Sequence, residues 1–155
     1  MDGGASPTRE ARLVLRNDSR ELIRLASFVE DYARRTALPS KATFAIDLCL
    51  DEAISNVMRH GARCGKATGV VATLRQDEGE VTLFIEDDGG AFDPTLVVPP
   101  PPPTSLEEAT IGGFGVHLMR EFSSWMRYER TAGKNRLIMT FSLARYAPAE
   151  GVKAA

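Results

Sequence analysis

The chain has 155 residues, 43% of them hydrophobic and 26% charged, which suffices for one buried core and leaves little for a second. Its formal charge of -2, with Lys and Arg scattered, gives no purchase on a nucleic-acid backbone. No run approaches the roughly 18 apolar residues of a membrane span, Met1 to Pro7 lacks the order of a signal peptide, and Cys49 and Cys64 form neither a CxxC nor a zinc pattern. A cytoplasmic location with two reduced thiols, Cys49 as core filler, is the expectation.

Residues 1–9 read as a flexible tail, and Arg12-Leu13-Val14-Leu15-Arg16 predicts a short strand. Asp18-Ser19-Arg20-Glu21 has the order of a capping box, and Leu22, Leu25, Phe28, Val29, Tyr32 and Ala33 recur at helical spacing, predicting a helix over 18–36. After Pro39-Ser40, Ala45, Leu48, Cys49, Ala53 and Val57 predict a second helix that ends at Gly61. Gly69 to Arg75 and Glu80 to Ile85 predict a hairpin joined by Gln76-Asp77-Glu78-Gly79. Gly115 to Ser123 predicts a third helix, and 125–130 with 136–143 a second hairpin turned at Ala132-Gly133-Lys134-Asn135. Residues 146–155 read as a C-terminal tail.

Between Phe92 and Gly112 stand five consecutive prolines, Pro99 to Pro103. Proline removes backbone donors and stiffens the chain, so this segment is neither a helix interior nor a central strand. A surface linker or polyproline ligand is one reading, and a lid over a binding site the other.

Three motifs carry chemistry. Glu52 and Asn56 lie four residues apart, hence about 40° apart on one helical face, among the small apolar residues Ala45, Cys49 and Ala53. An unpaired polar group buried there is costly, so a partner is implied. An Asn oxygen suits Mg²⁺, and a carboxylate one turn away can accept a proton; equally, both can satisfy buried protein groups. Asp87, with Gly89, follows a β run where the chain leaves the sheet. It reads either as a plain turn or as a carboxylate accepting the exocyclic amine of adenine while glycine lets backbone approach the base. Gly112-Gly113-Phe114-Gly115 opens a helical pattern, either as a tight turn or as backbone N–H groups presented to phosphate. It is not a P-loop, since no Gly-Lys-Ser/Thr follows. His60 reads as a helix-end or surface group and Phe92 as core.

Taken together, Asp51-Glu52-Ala53-Ile54-Ser55-Asn56-Val57-Met58-Arg59-His60-Gly61, Ile85-Glu86-Asp87-Asp88-Gly89-Gly90-Ala91-Phe92-Asp93-Pro94 and Gly112-Gly113-Phe114-Gly115-Val116-His117-Leu118 resemble the N, G1 and G2 boxes of the GHKL ATP-binding superfamily. Ala91 stands where the G1 box often has a second glycine. The short chain and the His-Gly ending of the first box resemble the bacterial anti-sigma factor serine/threonine kinases, over residues 10–145. The resemblance implies an α/β (α+β) two-layer sandwich, with helices on one face of a mixed, mostly antiparallel sheet. It implies ATP and Mg²⁺ as cofactors, Asn56 as the Mg²⁺ ligand and Glu52 as the general base. Asp87 would be the adenine acceptor, Gly89 its backbone companion, and Gly113 and Gly115 the phosphate-side glycines. It implies phosphorylation of an anti-anti-sigma (antagonist) protein, sequestration of a sigma factor in partner switching, and a homodimer. The alternative is a catalytically silent module whose partner binding is regulated by ATP.

Overall fold

The computed structural model describes residues 9–64, 69–98, 101, 104–105 and 114–148, with the backbone alone for 61–64. The expected tail up to Thr8, Gly112, Gly113 and all of the proline run except Pro101 lie outside the described residues.

Among the described residues, five strands form one antiparallel sheet: β1 (Arg9–Arg16), β2 (Gly69–Asp77), β3 (Glu80–Asp87), β4 (Trp125–Thr131) and β5 (Lys134–Ser142), in the order β1-β2-β3-β5-β4. Alternation along these strands decides which face is covered. Leu74 pairs with Leu83, which pairs with Met139, and this fully buried row belongs to the inner face. Phe84, one residue on, stands on the other face between the Arg75 and Arg136 guanidinium groups, 5.3 and 4.8 Å from its ring centre.

Among the described residues, three α-helices cover the inner face: α1 (Ile23–Thr36), α2 (Ser40–Cys64) and α3 (Gly115–Phe122). α1 buries Leu25, Val29 and Tyr32; α2 buries Ala45, Ile46, Cys49, Leu50, Ala53 and Ile54; α3 contributes Val116 and Met119. The expected two-layer sandwich is present, and the sheet is antiparallel at every described pairing. Burial pushes the Cys49 thiol up to about 12, with the nearby Glu52 charge acting in the same direction, so the core-filler reading of this free cysteine holds.

Several boundaries differ from the sequence reading. Asp18 accepts a hydrogen bond from the Arg20 amide at 2.9 Å, which starts a 3-10 turn over Ser19–Leu22 before the α-helix instead of a capping box on Glu21. α2 passes through Gly61 and runs on to Cys64. A glycine inside a helix costs only about 1 kcal/mol, which Ala62 and Arg63, both good helix formers, help offset. Both hairpins turn on two residues, Glu78-Gly79 and Ala132-Gly133, all four at positive φ as mirror-image hairpin turns require. Hence Asn135, read as part of a turn, belongs to β5 and stands opposite Asp87. The chain is packed past residue 145: Tyr146 is buried, and its hydroxyl donates to the Phe122 carbonyl.

Candidate functional site

α2 packs against both the sheet and α3, and its polar pair faces two adjoining cavities. The smaller, of about 30 Å³, is bounded by Asn56 and His60 from α2, Asp87 from the end of β3, Gly90 and Phe92 from the loop after it, and Asn135 from β5. The larger, of about 370 Å³, is bounded by Glu52, Asn56, Arg59 and His60 on one side and Phe114, Gly115 and Val116 on the other. Asn56 and His60 belong to both.

Asp87 is fixed by two donors on one oxygen. Its Oδ1 accepts the Gly89 amide at 2.8 Å and Asn135 Nδ2 at 2.9 Å, leaving Oδ2 without a hydrogen bond among the described residues. A carboxylate held on one oxygen and open on the other can receive an amine N–H. Gly89 is buried behind Asp87, and Gly90 borders the cavity.

Asn135 was missed by the sequence reading. It is 5% exposed, donates to the Gly90 carbonyl at 2.9 Å as well as to Asp87, and accepts from the Tyr128 hydroxyl at 2.5 Å and Arg130 Nη1 at 2.6 Å. Arg130 Nη1 also reaches the Gly89 carbonyl at 3.0 Å. Asn135 therefore ties the loop after β3 to the second hairpin. The only hint in the sequence is an amide at the first positions after a Gly turn, which is also ordinary turn chemistry.

Asn56 is 8% exposed, and its Nδ2 is buried with no hydrogen-bond partner among the described residues. Among the described residues its Oδ1 receives a single long contact, 3.5 Å from Arg59 Nη1. An orphaned buried amide is expensive, and here it borders both cavities. The donor chemistry fits a hard cation: Asn56 Oδ1 and the Glu52 carboxylate supply oxygens one helical turn apart, and no group of three or more His, Cys, Asp or Glu among the described residues builds an all-protein cage. Mg²⁺ takes one or two protein oxygens and fills its shell with water and phosphate, so this sparse donor set suits it.

Glu52 packs directly on the start of α3. A Cβ built on Gly115 would fall 2.1 Å from Glu52 Oε2 and 3.0 Å from its Cδ. Glycine at 115 thus makes room for the carboxylate beside the larger cavity. Gly113 lies outside the described residues, so only the Gly115 half of the glycine entry can be placed.

His60 and Phe92, read as unrelated surface and core groups, stack with ring centres 3.8 Å apart and planes 17° apart. Past Phe92, Asp93 accepts from Thr95 N and Oγ1 at 2.8 and 2.6 Å, and Arg120 Nη2 donates to the Thr95 carbonyl at 2.7 Å. The segment leading toward the prolines is thereby anchored to α3.

The model of the histidine kinase-like ATPase domain family matches residues 15–141. Serine/threonine-protein kinase BtrW of Bordetella bronchiseptica is 39% identical over 113 residues, which are 73% of this chain and 80% of that protein. Among solved structures, the RsbU and RsbW domains of Rv1364c from Mycobacterium tuberculosis match with a TM-score of 0.63 at 14% identity, over 88% of this chain and 33% of that one. The chain thus spans about a third of that solved chain, and the likeness is one of fold.

Proposed function

We infer the function from the premise that this chain belongs to the histidine kinase-like ATPase domain family, a family of ATP-using domains. The reading it supports best is a cytoplasmic ATP-dependent serine/threonine protein kinase of the anti-sigma factor type. Its acceptor is a small antagonist protein, its second partner a sigma factor, and its working form a homodimer. The observation that carries the site assignment is a pair of polar groups half-satisfied among the described residues: Asp87 with one oxygen open, and Asn56 with a buried amide lacking a partner. The relative named as a serine/threonine-protein kinase supports the choice of acceptor chemistry.

On this reading adenine occupies the cavity at Asp87, with its exocyclic amine donated to Asp87 Oδ2. At about 30 Å³ that cavity holds a water or two, so the base enters by parting His60 from Phe92. The phosphates lie in the larger cavity, where Arg59 contributes positive charge. Asn56, with Glu52 nearby, would hold Mg²⁺, which supplies neutralisation of charge on the phosphates. Glu52 takes the proton of the acceptor hydroxyl as that oxygen bonds to the γ-phosphorus and the bond to the bridging oxygen breaks, releasing ADP.

The test is phosphate transfer. Purified protein with Mg-ATP and the antagonist from the same genome is expected to give a phosphoserine or phosphothreonine product, and Glu52→Ala to lower the rate on the order of 100-fold or more. Absence of phosphoprotein with the wild type, or transfer at the wild-type rate by Glu52→Ala, contradicts the kinase assignment. ATP binding retained without transfer would instead favour the nucleotide-regulated binding module.

A further inference from the structure

β5 lies between β3 and β4, so Asn135 has Asp87 directly opposite on one side and Arg130 directly opposite on the other. A carboxamide carries two N–H donors on its nitrogen and two lone pairs on its oxygen, and here all four are taken. Nδ2 donates to Asp87 Oδ1 and to the Gly90 carbonyl, both at 2.9 Å. Oδ1 accepts from the Tyr128 hydroxyl at 2.5 Å and from Arg130 Nη1 at 2.6 Å.

The two ends of this amide cannot be exchanged. A guanidinium has donors and no acceptor, so Arg130 requires the oxygen end on its side and leaves the nitrogen end for Asp87. Turned over, the amide would set N–H against N–H at Arg130 and oxygen against oxygen at Asp87 and Gly90. Asp87 Oδ1 is thus gripped by two N–H groups, that of Asn135 and the Gly89 amide at 2.8 Å. Swinging the carboxyl group away breaks at least one of these bonds and strands its donor, which is costly in a buried site. Oδ2, the oxygen without a hydrogen bond among the described residues, is held in one direction as a result.

We propose that Asn135, held in one sense by Arg130 and Tyr128, is a positioning residue that makes the site select adenine over purines carrying a carbonyl at C6. Adenine presents an amine donor at C6 and an acceptor at N1, whereas hypoxanthine and guanine present a carbonyl at C6 and an N–H at N1. Asp87 Oδ2 fixed opposite C6 accepts the adenine amine and meets the other bases oxygen to oxygen. A carboxylate free to turn would reach their N1–H instead, and the preference would be lost. Discrimination therefore comes from the rigidity that Asn135 imposes as well as from the carboxylate itself. The inference rests on the proposed adenine site at Asp87 and goes beyond it in assigning the choice of base.

The test is the ratio of the dissociation constants of ATP and inosine triphosphate, whose base is hypoxanthine, measured by calorimetry on the whole chain with Mg²⁺. The wild type is expected to bind ATP more tightly by about tenfold or more, and Asn135→Ala to bring the ratio below about threefold by weakening ATP and not inosine triphosphate. Arg130→Met, at an exposed residue, removes the donor that orients the amide and is expected to lower the ratio in the same direction. A ratio that Asn135→Ala keeps overturns the proposal, and so does equal weakening of both nucleotides, which marks a merely structural role. Should Asn135→Ala fail to fold by circular dichroism, an unchanged ratio in Arg130→Met overturns it. Asp87→Asn separates the two readings. If it erases the preference while Asn135→Ala and Arg130→Met keep it, the adenine site stands and the positioning role falls. If the wild type shows no preference, or Asp87→Asn retains one, the adenine site falls and the proposal with it.

Discussion

Residues at the site divide into those whose identity chemistry requires and those required by their neighbours. On the proposed reading Glu52 and Asp87 are of the first kind, and Gly115 is of the second. An alanine at 115 would put its Cβ 2.1 Å from Glu52 Oε2. Because the obstacle is the far end of a flexible side chain, the fold can yield, and the carboxylate moves instead of the backbone. We therefore expect Gly115→Ala to lower phosphate transfer on the order of 100-fold, the scale at which a displaced catalytic group is felt. Its melting temperature should stay within about 4 °C of wild type. Wild-type transfer by Gly115→Ala would show that the position of Glu52 is immaterial. Asn135 marks the limit of reading at this scale. A lone Asn after a Gly turn carries no chemical signature, and its five hydrogen bonds to Asp87, Gly90, Tyr128, Arg130 and, at 3.5 Å, Gly89 depend on which strands become neighbours.

Elements were legible where one face is buried and less so where they end. The spacing of Ala45, Cys49 and Ala53 marked the inner face of α2 correctly, because burial imposes the helical period. The end of α2 was misplaced because a glycine is a stop signal only when flanking residues do not continue the helix. The turns were drawn too long because polar residues flanking a two-residue turn still pair across the strands, as Asp77 does with Glu80 and Lys134 with Thr131. α2 also carries a charge conflict. Burial first, then the neighbouring charges of Asp51 and Glu30, push the Asp47 carboxyl above its ordinary 3.8. A carboxyl raised in the folded state stabilises the fold relative to neutral pH only when protonated, and this contribution is lost as pH rises through its folded value. Asp47→Asn is accordingly expected to raise stability in urea unfolding at neutral pH, with the gain fading as pH falls to 3.8 and below. An equal gain at both pH values, or none at neutral pH, contradicts the assignment.

For the whole molecule, the motif order made the two-layer fold legible through resemblance, whereas the strand order did not follow from local pattern. The order β1-β2-β3-β5-β4 sets β5 beside β3 and so brings Asn135 to Asp87, 48 positions away in the chain. Among the described residues it also leaves β1 at an edge of the sheet. No helix among the described residues is long and apolar enough to cross a membrane. The central claim is that the pocket takes ATP through Asp87. Calorimetric titration of Mg-ATP into the wild type and Asp87→Asn tests it most directly, with unchanged circular dichroism confirming that the variant folds. Saturable binding by the wild type, weakened about tenfold or more in Asp87→Asn, is the predicted result. No heat with the wild type, or equal affinity in the variant, would contradict it.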